Sequence, residues 1–211
     1  MSRRIGKAAG TYRSMRRFAL VILLLPAIAD ADPGRLLDDH TFDTEPGGQY
    51  AGDLGIVAAK PTSLPTGLST GLGAGFTRRC GCLFSYGARF AWSRVSEDSQ
   101  SWIVTQDDFR FRVTGAIRHD AGRGSIALRL GAGPTIVHEV RDLQQGMRDP
   151  NSDTPQQQRA LRAVPAGELE LVVSLKIAGT WMVDASAGPT LAIDDGVHGG
   201  WITQMGVAWQ P

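Results

Sequence analysis

Four histidines are the residues of this 211-residue chain best suited to acid–base chemistry, and two of them keep acidic company. His138 is followed by Glu139 and Asp142, and His198 is preceded by Asp194 and Asp195. An imidazole oriented by a carboxylate can take a proton from a hydroxyl or a water, so convergence of these two groups would build a hydrolytic centre. No serine stands at a spacing that would complete such a centre, and His138 and His198 are read as rim residues without a catalytic role. His40 and His119 fall in a tail and a turn, where solvation accounts for them.

Other candidate chemistry is thinner. Asp149, Asn151 and Asp153 resemble the first ligands of a calcium loop, but the sixth position is Thr154 rather than Gly and the twelfth is Ala160 rather than Glu. Those are the positions that set the turn and supply the bidentate ligand, so a solvated loop is expected and no metal or cofactor is called for. Cys80 and Cys82 are the only cysteines. Two thiols do not make a metal site; in an oxidising compartment they can pair, although a bridge across one residue is strained. Arg141, Arg148, Arg159 and Arg162 crowd one polar stretch and are placed to meet phosphates of lipopolysaccharide or another polyanion.

Nearly all of these residues lie in connections, and the segments between the connections alternate with the period of two that a strand imposes. The last one is the clearest. Trp201, Thr203, Met205, Val207 and Trp209 share one face, with Ile202, Gln204, Gly206 and Ala208 on the other. The two tryptophans are eight residues apart, roughly 26 Å along a strand and about 20 Å of depth for a strand tilted by about 40°. Tryptophan favours a lipid–water boundary at either end of such a span. The same pattern recurs in Leu54–Ala58, Leu68–Phe76, Phe84–Trp92, Trp102–Ile117, Ile126–Ile136, Leu169–Ile177 and Trp181–Leu191, which makes eight strands.

Connections alternate between longer loops (60 to 66, 94 to 101, 141 to 167, 194 to 199) and short turns (78 to 81, 119 to 123, 178 to 180). Even-stranded membrane barrels have this asymmetry. With both chain ends on the short-turn side, the outward aromatics form two belts, Phe76, Phe84, Trp181 and Trp209 below and Trp92 and Trp201 above. The opposite rows place Arg89, Arg110, Arg112, Arg129 and Lys176 in the lumen with Glu170, Asp184 and Gln204. These charges can pair with one another and with trapped water, and eight strands leave an interior about filled by side chains. Inward glycines at 71, 73, 75, 131, 133, 188 and 206 leave gaps in it. A weak repeat, Ala132-Gly133-Pro134-Thr135-Ile136 and Ala187-Gly188-Pro189-Thr190-Leu191, puts prolines where a closed ladder needs an N–H. Bulges or a position at the upper rim would accommodate them.

Ahead of the strands, Arg3, Arg4, Lys7, Arg13, Arg16 and Arg17 precede an apolar run of eleven residues from Phe18 to Ile28 and a small-x-small site near Ala29. Residues 1 to 29 therefore read as a signal peptide, starting at Met1 or Met15. Residues 30 to 48 read as a flexible tail and 49 to 211 as the barrel domain. The first 29 residues hold six of the 22 Lys and Arg and none of the 21 Asp and Glu, so the remainder carries a net charge of −5. That argues against a nucleic-acid partner.

The eight alternating strands, the unequal connections and the closing pattern Gln204-x-Gly206-x-x-Trp209 resemble the small outer-membrane β-barrels of the OmpA/OmpX type, over residues 50 to 211. The chain departs from that pattern in ending on Gln210-Pro211 instead of the aromatic residue. The resemblance implies an all-β, eight-stranded antiparallel up-and-down transmembrane β-barrel. It also implies a bacterial outer-membrane location and a monomer bathed in outer-membrane lipid, with a structural, adhesion or surface-binding role. Two other functions compete with this one. A soluble exported barrel of lipocalin type, binding a small apolar ligand, would reverse the two faces of the wall; the third reading is a rim hydrolase using His138 and His198.

Overall fold

A wall one strand thick can separate two environments only if each strand shows a different chemistry on its two faces, and the computed structural model realises that in a closed barrel. It describes residues 50–62, 67–80, 83–98, 101–144 and 156–210. The strands are β1 (Tyr50–Ala59), β2 (Ser69–Cys80), β3 (Phe84–Asp98), β4 (Trp102–Ala121), β5 (Gly124–Leu143), β6 (Gln157–Ala178), β7 (Trp181–Ile193) and β8 (Val197–Trp209). Each pairs antiparallel with its neighbours in sequence, and β8 returns to β1 with Met205 opposite Ile56 and Trp209 opposite Gly52. Closure leaves no exposed strand edge around the ring where all eight strands pair; above it, residues 157 to 165 of β6 pair only with β5.

Polarity of the wall is that of a barrel turned inside out. Outward rows carry Ile56, Leu72, Phe90, Val113, Leu128, Leu130, Leu171 and Met205, with Val113 74% and Leu128 51% exposed. Inward rows carry Ser93, Gln106, Asp108, Arg110, Arg112, Glu168, Glu170 and Gln204, all buried. Burial is a property of the polar face here. A lipocalin-type barrel requires the opposite arrangement, and these faces rule it out for this wall.

Strand lengths correct the expected loops. β3 runs on through Asp98, so residues 94 to 98 are wall and not loop; β4 continues through the expected turn to Ala121, leaving Gly122 and Arg123 to reverse the chain. The expected long loop from 141 to 167 shrinks, because β5 reaches Leu143 and β6 already begins at Gln157; β8 likewise begins at Val197. β3 to β6 have 15, 20, 20 and 22 residues, while β1, β2, β7 and β8 have 10, 12, 13 and 13. One wall is therefore tall and the other low. The unequal spacing seen along the sequence is mostly strand rising past the apolar band on β3 to β6. Its polar residues hide the alternation there because both faces meet water.

The two prolines of the repeat sit at interruptions of the ladder and not at the rim. Between β4 and β5 the pairs Arg110–Thr135 and Val113–Ala132 flank a gap at Gly133 and Pro134. Between β6 and β7, Glu168–Thr190 and Leu171–Ala187 flank a gap at Gly188 and Pro189. The register sum is the same on both sides of each gap, so bonds are lost without a slip. Each proline presents its missing N–H to the interrupted side, while its other side pairs continuously, Pro134 with Pro165 and Pro189 with Trp201. Gly133 takes φ +155° at its gap, a backbone state that an L side chain rarely adopts.

The leader, the tail, His40, the Asp149–Asp153 stretch, Arg148 and Cys82 lie outside the described residues.

Candidate functional site

Inward-facing polar residues recur on every strand because the lumen is the only place where an ionised group of the spanning wall can be matched. The centre of the match is Glu170 on β6. Its Oε1 accepts from Arg89 Nη1 at 2.9 Å, and its Oε2 accepts from Arg129 Nη2 at 2.9 Å and from Ser186 Oγ at 2.6 Å. Arg89 also donates to Gln204, whose Nε2 donates to Asp53 Oδ1 at 3.2 Å. One network thus ties β1, β3, β5, β6, β7 and β8 across the lumen.

Arg112 carries a second function in the wall. Directly opposite Arg89 on β3, where two like charges would repel, it is neutralised by Glu168, with Nε 2.9 Å from Oε1. Its Nη1 donates to the carbonyls of Phe111, Gly133 and Pro134 at 3.0, 3.2 and 2.8 Å, and its Nη2 to Thr135 Oγ1 at 2.8 Å. The guanidinium therefore takes up acceptors that the β4–β5 gap leaves without ladder partners.

Above it, Arg110 pairs with Asp108 at 3.0 Å and donates to Ser93 Oγ at 3.0 Å; Ser93 reaches Ser69 Oγ at 3.2 Å, and Ser69 the Ala59 carbonyl at 2.8 Å. Asp108 also accepts from the Thr62 amide and hydroxyl at 3.2 and 3.0 Å, which draws the start of the β1–β2 connection into the mouth.

Not every inward candidate joins a pair. Lys176 keeps the inward parity of β6 but is exposed near its lower end, beside the register irregularity at Ala178, so its placement as a lumen charge is corrected. Asp184 faces a small lower recess of about 60 Å³ with Asp53, Arg79, Arg118 and Arg129. Several expected gaps at inward glycines are occupied: a Cβ on Gly73 would strike Val57 and Gln204, and one on Gly75 the Asp53 carboxylate. Free space collects instead in a half-open vestibule of about 390 Å³ at the upper mouth, between the low wall and the Arg110–Arg112 floor.

The aromatic residues stand on the outer face. Trp181 is opposite Trp209, and Gly52 lies between Trp209 and Phe76, so these three share one lower row; Phe84 is exposed beside it, opposite Cys80. Trp201 is exposed at the upper end of β8, and Trp92 is half-buried on β3.

Trp92 belongs to a cluster that the alternation pattern did not single out. Its Nε1 donates to Asp107 Oδ1 at 3.0 Å, and Arg94 grips both oxygens of the same carboxylate at 2.8 and 2.9 Å. Asp107 sits above the band that on β4 runs from Phe109 to Ile117. Arg94 first, and Trp92 after it, hold its carboxyl below the ordinary range against the opposing effect of burial. The signal was available: Asp107 interrupts the apolar row of β4. Glu168 and Asp108 were equally legible by parity, each two residues from a recognised inward charge.

The two rim histidines do not converge. His138 is on the outer face, 3.8 Å from Asp107, whereas Glu139 points inward to Arg141 at 2.5 Å and Arg162 at 3.7 Å. His198 lines the vestibule, with Nε2 2.6 Å from the Asp194 carbonyl. One histidine is outside the wall and the other inside its mouth.

No family model matches the sequence, and no curated protein does. Solved structures do match. Ail, the attachment invasion locus protein of Yersinia pestis, superposes with a TM-score of 0.55 at 13% identity, over 78% of this chain and 99% of that one. Its structure in complex with the heparin analogue sucrose octasulfate gives 0.50 at 14% over the same shares. A major outer membrane protein from Thermus thermophilus gives 0.53 at 8%, over 76% of this chain and 99% of that one. With a closed ring of eight antiparallel strands, an apolar exterior and a paired polar lumen, the chain has the fold of the small outer-membrane β-barrels.

Proposed function

We propose that the protein is a non-enzymatic β-barrel of the bacterial outer membrane, exported by a leader within residues 1 to 29. Its lumen is occupied by paired side chains, and the tall β3–β6 wall and upper connections serve a structural, adhesion or surface-binding role. The observation that carries this reading is the polarity of the wall. Leu128, Leu130, Val113 and Met205 are exposed on a continuous apolar outside, while Glu170 and Gln106 are each 1% exposed inside. Such an exterior is far larger than the apolar patch a soluble monomer tolerates, and lipid is the medium that makes it stable.

Contact with an anionic partner, lipopolysaccharide among them, is supported by Arg159, exposed on the outer face of the tall wall, whereas Arg141 at its top is already paired with Glu139. That one similar barrel was solved with a heparin analogue agrees with this chemistry. Arg162 is already committed to Asp194 at 3.1 Å and belongs to the wall's own bracing.

Fractionation of expressing cells, followed by electrophoresis of heated and unheated samples, tests the reading. The protein is expected in the outer-membrane pellet with a heat-dependent shift in mobility. Recovery as a soluble periplasmic monomer would overturn it.

A further inference from the structure

The vestibule at the upper mouth has an unusual lining for a protein with an excess of acidic residues after its leader. Lys60, Arg110, Arg112 and His198 contribute to it, with the hydroxyl-bearing Thr62, Thr135 and Thr190, and among the described residues no carboxylate does. Asp108 and Glu168 pair with the two arginines at 3.0 and 2.9 Å just beneath the lining, so the net positive charge of the cavity rests on Lys60. Among the described residues Lys60 pairs with no carboxylate; its Nζ donates to the Gly199 carbonyl at 3.2 Å and keeps further protons to give.

Gly200 shows how the free donors converge. A Cβ at that position would lie 2.7 Å from Thr190 Oγ1 and 3.6 Å from Lys60 Cβ, so the hydroxyl and the lysine stem border the same small space. The neighbouring residues Ala166, Ala192 and Gly199 are small and keep it open. Thr62 and Thr135 are engaged with Asp108 and Arg112. The available donors are thus an ammonium and a hydroxyl above a floor of two arginines, each already paired with a carboxylate.

The geometry points to a binding site in this vestibule for one tetrahedral oxyanion, a phosphate or sulfate group, held by Lys60 and Thr190 over Arg110 and Arg112. Donors approach from Lys60, just past the end of β1, and from Thr190 on β7, which suits a group with oxygens in several directions better than a planar carboxylate. A cavity of about 390 Å³ admits a small solute or the phosphorylated end of a sugar. The described lining offers a cation no carboxylate, and an apolar ligand would leave the Thr190 hydroxyl and the remaining Lys60 protons without partners. The site follows from the mouth of the barrel and does not depend on what the outer wall contacts.

The test is a titration of the full barrel in detergent micelles, read by backbone amide shifts, first with inorganic phosphate and then with glucose 6-phosphate. Saturable shifts centred on Thr190, Gly199 and Gly200 are expected. Saturation by phosphate assigns a free anion; saturation by the sugar phosphate alone assigns an oxyanion borne on a larger molecule. Lys60→Gln is expected to weaken binding about tenfold or more, and Ala192→Phe, which fills the cavity from the low wall, to abolish it. Both variants should keep the heat-dependent mobility shift, which separates loss of the site from loss of the barrel. Absence of saturation by either ligand, or binding unchanged in both variants, overturns the proposal.

Discussion

Glu170 holds one negative charge between two guanidinium groups, and its side chain is 2% exposed. Removing it leaves Arg89 and Arg129 facing each other across a lumen that offers little water, and unpaired buried charge is costlier than a missing pair. Glu170→Ala should cost about 3–5 kcal/mol in reversible urea unfolding from micelles. Lys176→Met is the matching control, because Lys176 is exposed at the strand end and should leave the unfolding midpoint unchanged. Equal effects would mean that the lumen network is not a unit. At this scale the sequence showed which parity a charged residue has, and Glu170, Arg89, Arg110, Arg112 and Arg129 face inward accordingly. Partnership was not legible, because Arg89 and Glu170 are 81 residues apart and meet across the lumen, not along a ladder. Lys176 shows the limit of parity, since an inward row ceases to be a lumen where the strand leaves the wall.

At the scale of elements, the eight strand centres were readable because lipid-facing apolar rows alternate with polar or small ones only where the wall has two different media on its sides. Their ends were not. Residues 94 to 98, 138 to 143 and 157 to 166 pair as strand, but water meets the wall there and no apolar row marks it. The prolines of the repeat were recognised as incompatible with a full ladder, yet the outcome, two gaps without slip, depends on glycine at each. Gly188 lets β7 approach β6 so closely that a Cβ would overlap the Leu169 carbonyl. Gly188→Ala should therefore destabilise the barrel by about 1–3 kcal/mol, measured by the same urea unfolding. Gly115→Ala adds the same methyl on the outer face with nothing within 4 Å, and should be near neutral. Parity between the two variants would show that β6 and β7 have room to separate at the gap.

The whole molecule is organised by the inversion of its faces, with a charged lumen that replaces a hydrophobic core and a surrounding medium that replaces the usual solvent. Among the described residues the buried apolar side chains are mostly Val and Ala, and they gather in one small cluster, Val57, Ala59, Ala91 and Ile202. If water were the medium outside, the half-exposed Leu54, Ile56, Leu72, Leu128, Leu130 and Leu171 would each forgo about half of the 1.5–3 kcal/mol that full burial brings. No comparable gain in the lumen would offset it. The energetics of the chain close only when that surface is covered by hydrocarbon. Leu128 tests this directly, being half-exposed on β5, opposite Ile117 and Leu171 and away from every lumen charge. Arginine there would place a cation among acyl chains, and Leu128→Arg is expected to lose about 2–4 kcal/mol in lipid vesicles if the site is near mid-depth. The loss should shrink when the substitution is moved to Ile193, at the upper end of β7, because the penalty declines toward the interface. Two substitutions without effect in vesicles would mean that the outer face meets water and not lipid, and the membrane reading would fall.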